Sequence, residues 1–348
     1  MEQANCSPIK KGKRIEFIDL AKGFCIILVV LTHVNTHFHT KYPLQMELQV
    51  FRMPLYFFLS GLFFKQYENL VGFIKRKINK LLIPFLFFYL VGAVLIPNIL
   101  HVFGYDVRNA NVLGIKSLYI FLIPEQRNFP NGPIWFLLCL FNVNLIFYCI
   151  FLLCRKLKDY FVIGLLVCSM SIGSFGFYLG TQNIYLPLFL DTACTSLPFF
   201  CFGYLFRAHS TILVPNKHDK YLPLWTIACF IFIYLFAIKV SYHFNHFNGS
   251  MIALYSCGLI GTLFVIFLSK ILKRLPLVSY WGRYSIIILC THNLVVQFLA
   301  IFLKQLPISK EAMCFSNLII TMLLYLLIIP FCIKYLPYVT AQKDVIKV

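Results

Sequence analysis

Long apolar runs separated by short polar breaks fill this chain. A helix rising about 1.5 Å per residue needs about 20 apolar residues to cross a bilayer. Runs of that kind predict ten spans, at about 15–38, 44–64, 81–102, 132–153, 160–179, 186–206, 221–239, 249–269, 280–302 and 316–337. Segments such as Leu81 to Leu90 are continuously apolar rather than alternating, which favours helices over the strands of a closed barrel. The expected fold class is therefore all-α, a polytopic integral membrane bundle of about ten transmembrane helices. A basic tail over 1–14, a transmembrane domain over 15–337 and a second tail over 338–348 account for the chain, with no room for another folded domain.

The breaks between runs carry the polar chemistry. Lys65 to Lys80 reads as a long cytosolic connection, ending in Lys75, Arg76, Lys77 and Lys80 before Leu81. The longest non-spanning stretch, from about Phe103 to Pro133, holds Asp106, Arg108, Glu125, Arg127 and Asn131 and is a candidate cover for a substrate site. Within it Ile115 to Ile123 is apolar but too short to cross. Ser241 to Asn248 reads as a flexible outer loop, with His243 and His246 as solvated histidines.

Composition excludes a water-soluble domain: 60% of residues are hydrophobic and 12% charged, against about 25% charged in soluble proteins, and the mean hydropathy is +0.81. A net charge of +19 raises nucleic acid as a partner, but the charge tracks topology instead. With the amino terminus inside, 22 of the 31 Lys and Arg fall on the cytosolic side and seven on the other, Lys22 and Arg52 remaining within spans. Nucleic-acid binding is thus disfavoured, and both termini are expected in the cytosol with the chain in the inner membrane. The 13 cysteines sit almost entirely in apolar runs without paired CxxC spacing and read as small core hydrophobes. No metal site is expected.

Ionisable groups within spans are costly, so each needs a reason. At 100° per residue Asp19, Lys22, His33 and His37 fall within an arc of about 60° on the first helix. A structural role is open: Asp19 and Lys22 as an i,i+3 ion pair, His33 hydrogen-bonded at the far interface. A functional role is open too, because the eleven residues from Lys22 to His33 span about 16 Å on one face, the reach of a pantetheine arm. A cation there can hold a coenzyme A phosphate while an imidazole of ordinary pKa about 6.5 takes a proton from an attacking alcohol.

Arg14 to Gly23, with Asp19 and Lys22, followed by an apolar run to His33, resembles the opening of the acyltransferase-3 family of membrane acyltransferases. Phe51 to Gly61, which includes Arg52 and Ser60, resembles that family's second-helix motif. Lys77 and Lys80 resemble its two basic residues three apart, and Trp135-Phe136-Leu137 and Gly282 through His292 resemble two weaker signatures. Lysines stand where the family often has arginines, which leaves monodentate rather than bidentate phosphate contacts.

The resemblance implies a membrane O-acyltransferase that moves an acetyl group from cytosolic acetyl-CoA, a co-substrate, to a hydroxyl of a cell-surface or lipid-linked glycan. His33 would be the base and Arg52 a second catalytic or positioning residue. Lys22, Lys77 and Lys80 would bind the donor, and Asp19, Ser60, Glu125, Trp135 and His292 the substrate. Asp191, flanked by Thr192 and Thr195, is a further intramembrane charge. The competing reading is a glycan or small-anion transporter, which intramembrane charges also suit.

Overall fold

A computed structural model describes residues 15–65, 69–105, 113–209 and 213–347. The expected tail 1–14, and Asp106 and Arg108 of the long connection, lie outside the described residues. Among the described residues the chain is helical apart from a two-stranded hairpin. The helices are α1 (Glu16–Phe38), α2 (Gln45–Val50), α3 (Arg52–Leu62), α4 (Leu70–Lys77), α5 (Ile83–Tyr89), α6 (Ile96–Val102), α7 (Lys116–Tyr119) and α8 (Trp135–Cys154). There follow α9 (Phe161–Thr181), α10 (Leu190–His209), α11 (Leu222–Phe236), α12 (Met251–Leu272), α13 (Pro276–Arg283), α14 (Ser285–Leu303) and α15 (Lys310–Tyr335). Between α11 and α12, β1 (Lys239–Ser241) pairs antiparallel with β2 (His246–Asn248).

Eight helical segments among the described residues are long and apolar enough to cross a membrane. One of them, Gly132–Thr181, is two helices, because Lys158 leaves helical geometry in the turn between α8 and α9. The expected second span is not one helix but the short pieces α2 and α3. Pro54 explains the break: it has no N–H for the carbonyl of Val50 and its ring crowds that carbonyl. The expected cytosolic connection before Leu81 is also helical. Leu70 to Val102 run on through π turns at Ile78–Leu82 and Leu90–Leu95, each just ahead of a proline, Pro84 and Pro97, that cannot donate to the preceding turn. The span expected to begin at about 280 starts at Ser285, with Tyr284 interrupting α13 and α14.

The first helix lies inside the bundle, packed against α3, α12, α13, α14 and α15, whereas α11 turns Leu224, Ile227, Ile231 and Tyr234 outward as a bilayer requires. Glycines set how closely the central helices approach. A Cβ on Gly23 would strike the backbone of Val278, and one on Gly282 would strike the carbonyl of Asp19 and the amide of Gly23. Two motifs distant in sequence are therefore one helix crossing. Gly61 and Gly203 do the same for α3 and α10, meeting Phe200 and Phe58. Replacing Gly282 with Ala is expected to cost about 1–3 kcal/mol through overpacking, seen as a lower thermal midpoint in detergent. Gly132→Ala, whose Cβ meets nothing within 4 Å, is the near-neutral control.

Candidate active site

Because α1 is one unbroken helix, Lys22 and His33 keep the spacing and the face that periodicity predicts. Lys22 lines a cavity of about 310 Å³ between α1, α3, α8 and α14, where Lys77 of α4 joins it from the other wall. Ser60, Tyr56 and Ser285 supply hydroxyls to the same cavity, and its body is apolar, with Met53, Phe136 and Leu140 among its lining. Tyr56 donates its hydroxyl proton to the backbone carbonyl of Lys22 at 3.0 Å, which ties α3 to the cationic end of α1.

Val29 and Leu289 also line this cavity. One turn further along α1 and α14 stand His33 and His292, their ring centroids 5.0 Å apart and their planes tilted by 58°. His33 is half-buried and His292 fully buried. The pairs Gly23–Gly282 and His33–His292 share an offset of 259 residues, so α1 runs alongside α13 and α14 in one direction, and the glycine crossing sets the register in which the two imidazoles meet.

Arg52 begins α3 and reaches back to α1, donating from Nη1 to the Leu28 carbonyl at 3.4 Å and to the hydroxyl of Thr32. Thr32 in turn pairs with the Tyr42 hydroxyl at 3.2 Å. The guanidinium is thus fixed beside the residue preceding His33, and its Nε is a buried donor with no partner among the described residues. Arg52 itself lines neither cavity.

Beyond His33, Asn35 and Thr36 line a second cavity, about 540 Å³ in volume, whose lining residues are mostly of polar types. Gln45 and Gln49 of α2 and two lysines, Lys41 and Lys239, complete its wall. His33 therefore stands on α1 between two cavities, one with an apolar body and Lys22 and Lys77 in its lining, the other lined mostly by polar residue types further along the helix.

The remaining sequence candidates fall elsewhere. Lys80 does not share the cavity with Lys77: the π turn takes more residues per turn than an α-helix, so Leu81 follows Lys77 onto the cavity wall and Lys80 points away. It pairs with Asp344 at 2.8 Å and donates to the carbonyl of Ala341 at 2.8 Å, while the buried Asn79 beside it bonds Val345 and Ile346. Asp19 is buried where α1 meets α13. Glu125 is exposed and lines neither cavity.

Trp135 is buried with one face stacked on His243 at 5.4 Å and 17°. His243 is accordingly no solvated loop residue. It is half-buried in the turn of the hairpin against Trp135 and Phe189, its pKa pushed down to about 4 by burial and by Arg127 beside it, so it is neutral at pH 7. Arg127 also forms the buried ion pair that Asp191 needs, at 2.6 Å, and donates to the His243 carbonyl at 3.0 Å. Its guanidinium lies over the Tyr185 ring at 4.5 Å. These contacts tie the long connection, α10 and the hairpin into one cap.

Sequence reasoning placed Asn131 in the candidate substrate cover and did not find Asn293, yet the two amides pin α14 on either side of His292. Asn131 donates to the Cys290 carbonyl at 3.0 Å and Asn293 to the Pro130 carbonyl at 2.7 Å. Their only sequence signal was an amide placed within or next to an apolar run.

Searches of curated proteins and of solved structures return no match. A family model described as an acyltransferase domain matches residues 15–336. That range contains the whole helical bundle, both cavities and the histidine pair between them, and so the chain is a multi-pass membrane acyltransferase that belongs to the acyltransferase-3 family.

Proposed function

We propose that this acyltransferase takes an acetyl group from cytosolic acetyl-CoA and delivers it to a hydroxyl of a cell-surface or lipid-linked glycan on the opposite side of the inner membrane, with both of its own termini in the cytosol. The observation that carries the reading is the position of His33 between two cavities of opposite character. The apolar cavity suits the donor. Lys22 and Lys77 in its lining bind coenzyme A phosphates as point charges, and Tyr56, Ser60 and Ser285 offer hydrogen bonds to the amides of the pantetheine arm. About 16 Å of helix separates Lys22 from His33, which brings the thioester to the imidazole.

The polar cavity suits the acceptor, since amides and hydroxyls such as those of Gln45, Gln49 and Thr36 recognise sugar hydroxyls. A nitrogen of His33 takes the acceptor's hydroxyl proton as the oxygen attacks the thioester carbonyl carbon. The carbon–sulfur bond breaks, and the proton returns to the departing sulfur, leaving ester and free coenzyme A. Arg52, whose Nε is buried and unpartnered, faces the charge that develops on the carbonyl oxygen. An acyl-His33 intermediate is the alternative route, and it uses the same residues.

Coenzyme A binding tests the donor half. In purified protein, Lys77→Ala is expected to weaken binding about three- to tenfold, for a loss of about 1 kcal/mol, whereas Lys80→Ala leaves it unchanged because Lys80 is engaged with Asp344. Equal losses from both variants would remove the distinction between them. Glycan flux into vesicles without acetyl-CoA consumption would favour transport instead.

A further inference from the structure

His292 is a fully buried polar side chain beside His33, and nothing in the reaction as written uses it. Its Nδ1 lies 2.8 Å from the carbonyl of Ile288 and 3.1 Å from that of Leu289. Both partners are acceptors, so Nδ1 must carry the proton, and Nε2 is left with its lone pair. That Nε2 is buried with no partner among the described residues. A buried acceptor left unmatched costs free energy, and a core histidine kept only for packing would be better replaced by an apolar side chain.

The surrounding backbone is also held more firmly than packing needs. Asn131 and Asn293 fix α14 on either side of His292, and Thr291 pairs with the buried Tyr325 at 2.8 Å. The ring beside it is that of His33, with centroids 5.0 Å apart and planes tilted by 58°, although Nε2 makes no hydrogen bond to that ring in the arrangement described.

We propose that His292 is a positioning residue for the transfer: its Nε2 lone pair receives the N–H of the His33 nitrogen that does not meet substrate. One tautomer of His33 is then selected, and the other nitrogen is left bare for the acceptor's proton. This rests on the reading of His33 as the base. No proton moves to His292 during turnover. His33 gains the hydroxyl proton, becomes an imidazolium whose second N–H stays on the His292 lone pair, and gives the first proton to the leaving sulfur. The neutral imidazole of His292 thereby fills the role that a carboxylate fills in other base–orienter pairs, and it does so without adding a charge within the membrane.

Two variants and one spectrum test this. His292→Gln keeps an acceptor near the position of Nε2, and His292→Phe keeps an aromatic ring without one. With acetylation of the producing cell's own glycans as the activity, His292→Phe is expected to lose about ten- to hundredfold. His292→Gln is expected to retain clearly more, although a purely structural role predicts the reverse order. In the 15N spectrum of histidine-labelled protein, assigned by difference with His33→Gln, wild-type His33 should be one neutral tautomer, and a mixture of two in His292→Phe.

Full activity in His292→Phe, or an unchanged His33 tautomer in that variant, overturns the proposal. Should His292→Phe not fold, judged by its thermal midpoint, a mixed His33 tautomer in the wild-type spectrum still does so. If His33→Ala stays active, the reading of His33 as base fails, while the spectrum decides the ring-to-ring contact independently.

Discussion

His33→Ala is expected to reduce acyl transfer by about 10²–10⁴-fold, the usual worth of a positioned base, with coenzyme A binding unchanged. The split follows from geometry. His33 lines neither cavity, so its loss removes no wall from the donor site. The cations proposed to hold the donor, Lys22 and Lys77, line the cavity that Val29 and Leu289 also line. On the proposed reading, substrate binding and chemistry are carried by different residues, Lys22 and Lys77 for the donor and His33 for the proton. His33→Gln, which restores a hydrogen bond but no basic nitrogen, should remain as defective as the alanine variant. A drop in coenzyme A affinity equal to the drop in rate would show instead that His33 acts in binding.

Arg127→Ala is expected to destabilise the protein by about 3–5 kcal/mol, because it strands the Asp191 carboxylate in the interior. Both side chains are almost wholly buried, at 2% and 0% exposure, and the second carboxylate oxygen of Asp191 already has no partner among the described residues. Asp191→Ala strands the guanidinium and should cost a similar amount. Replacing both with apolar residues, as in Arg127→Met with Asp191→Leu, should recover much of the loss, since breaking such a pair costs more than removing it. The check is a double-mutant cycle on thermal midpoints in detergent. Additive losses would mean that the pair is not coupled and that the cap is held by its aromatic contacts alone.

Features that depend on one continuous helix were legible from residue order. The apolar run from Ile15 to Phe38 is long and unbroken, so the common face of Lys22 and His33 followed from 3.6 residues per turn and persists in the fold. Legibility failed where a local irregularity redirects the chain. Pro54 splits the second span, and the π turn before Pro84 sends Lys80 to Asp344 although its spacing from Lys77 suits a shared phosphate site.

It failed also where partners are far apart in sequence. The resemblance placed His292 with the substrate, but its neighbour His33 is visible only when α14 is laid beside α1, and no period within either segment records an offset of 259 residues. The cap has the same character. Arg127 read as part of a substrate cover and Asp191 as an intramembrane charge flanked by Thr192 and Thr195, and only tertiary packing shows that they pair with one another. Hydropathy misjudged His243 for the opposite reason, since a polar residue between two short strands is expected in water, whereas here Trp135 and Phe189 enclose it.

The glycines are the most instructive case. Gly23 and Gly282 belong to motifs that carry the family resemblance, yet their work is steric: they let two backbones touch, and that contact sets the level at which the histidines face each other. The spacing proposed for catalysis depends on residues with no chemistry of their own.

The most direct test of a base set between donor and acceptor cavities is a mass spectrum of surface glycans from three otherwise identical strains, producing the native protein, His33→Ala, or none. One added acetyl group on a defined sugar is expected with the native protein only. Acetylation that persists with His33→Ala at native level, or three identical spectra from a strain whose membranes consume no acetyl-CoA, would contradict it.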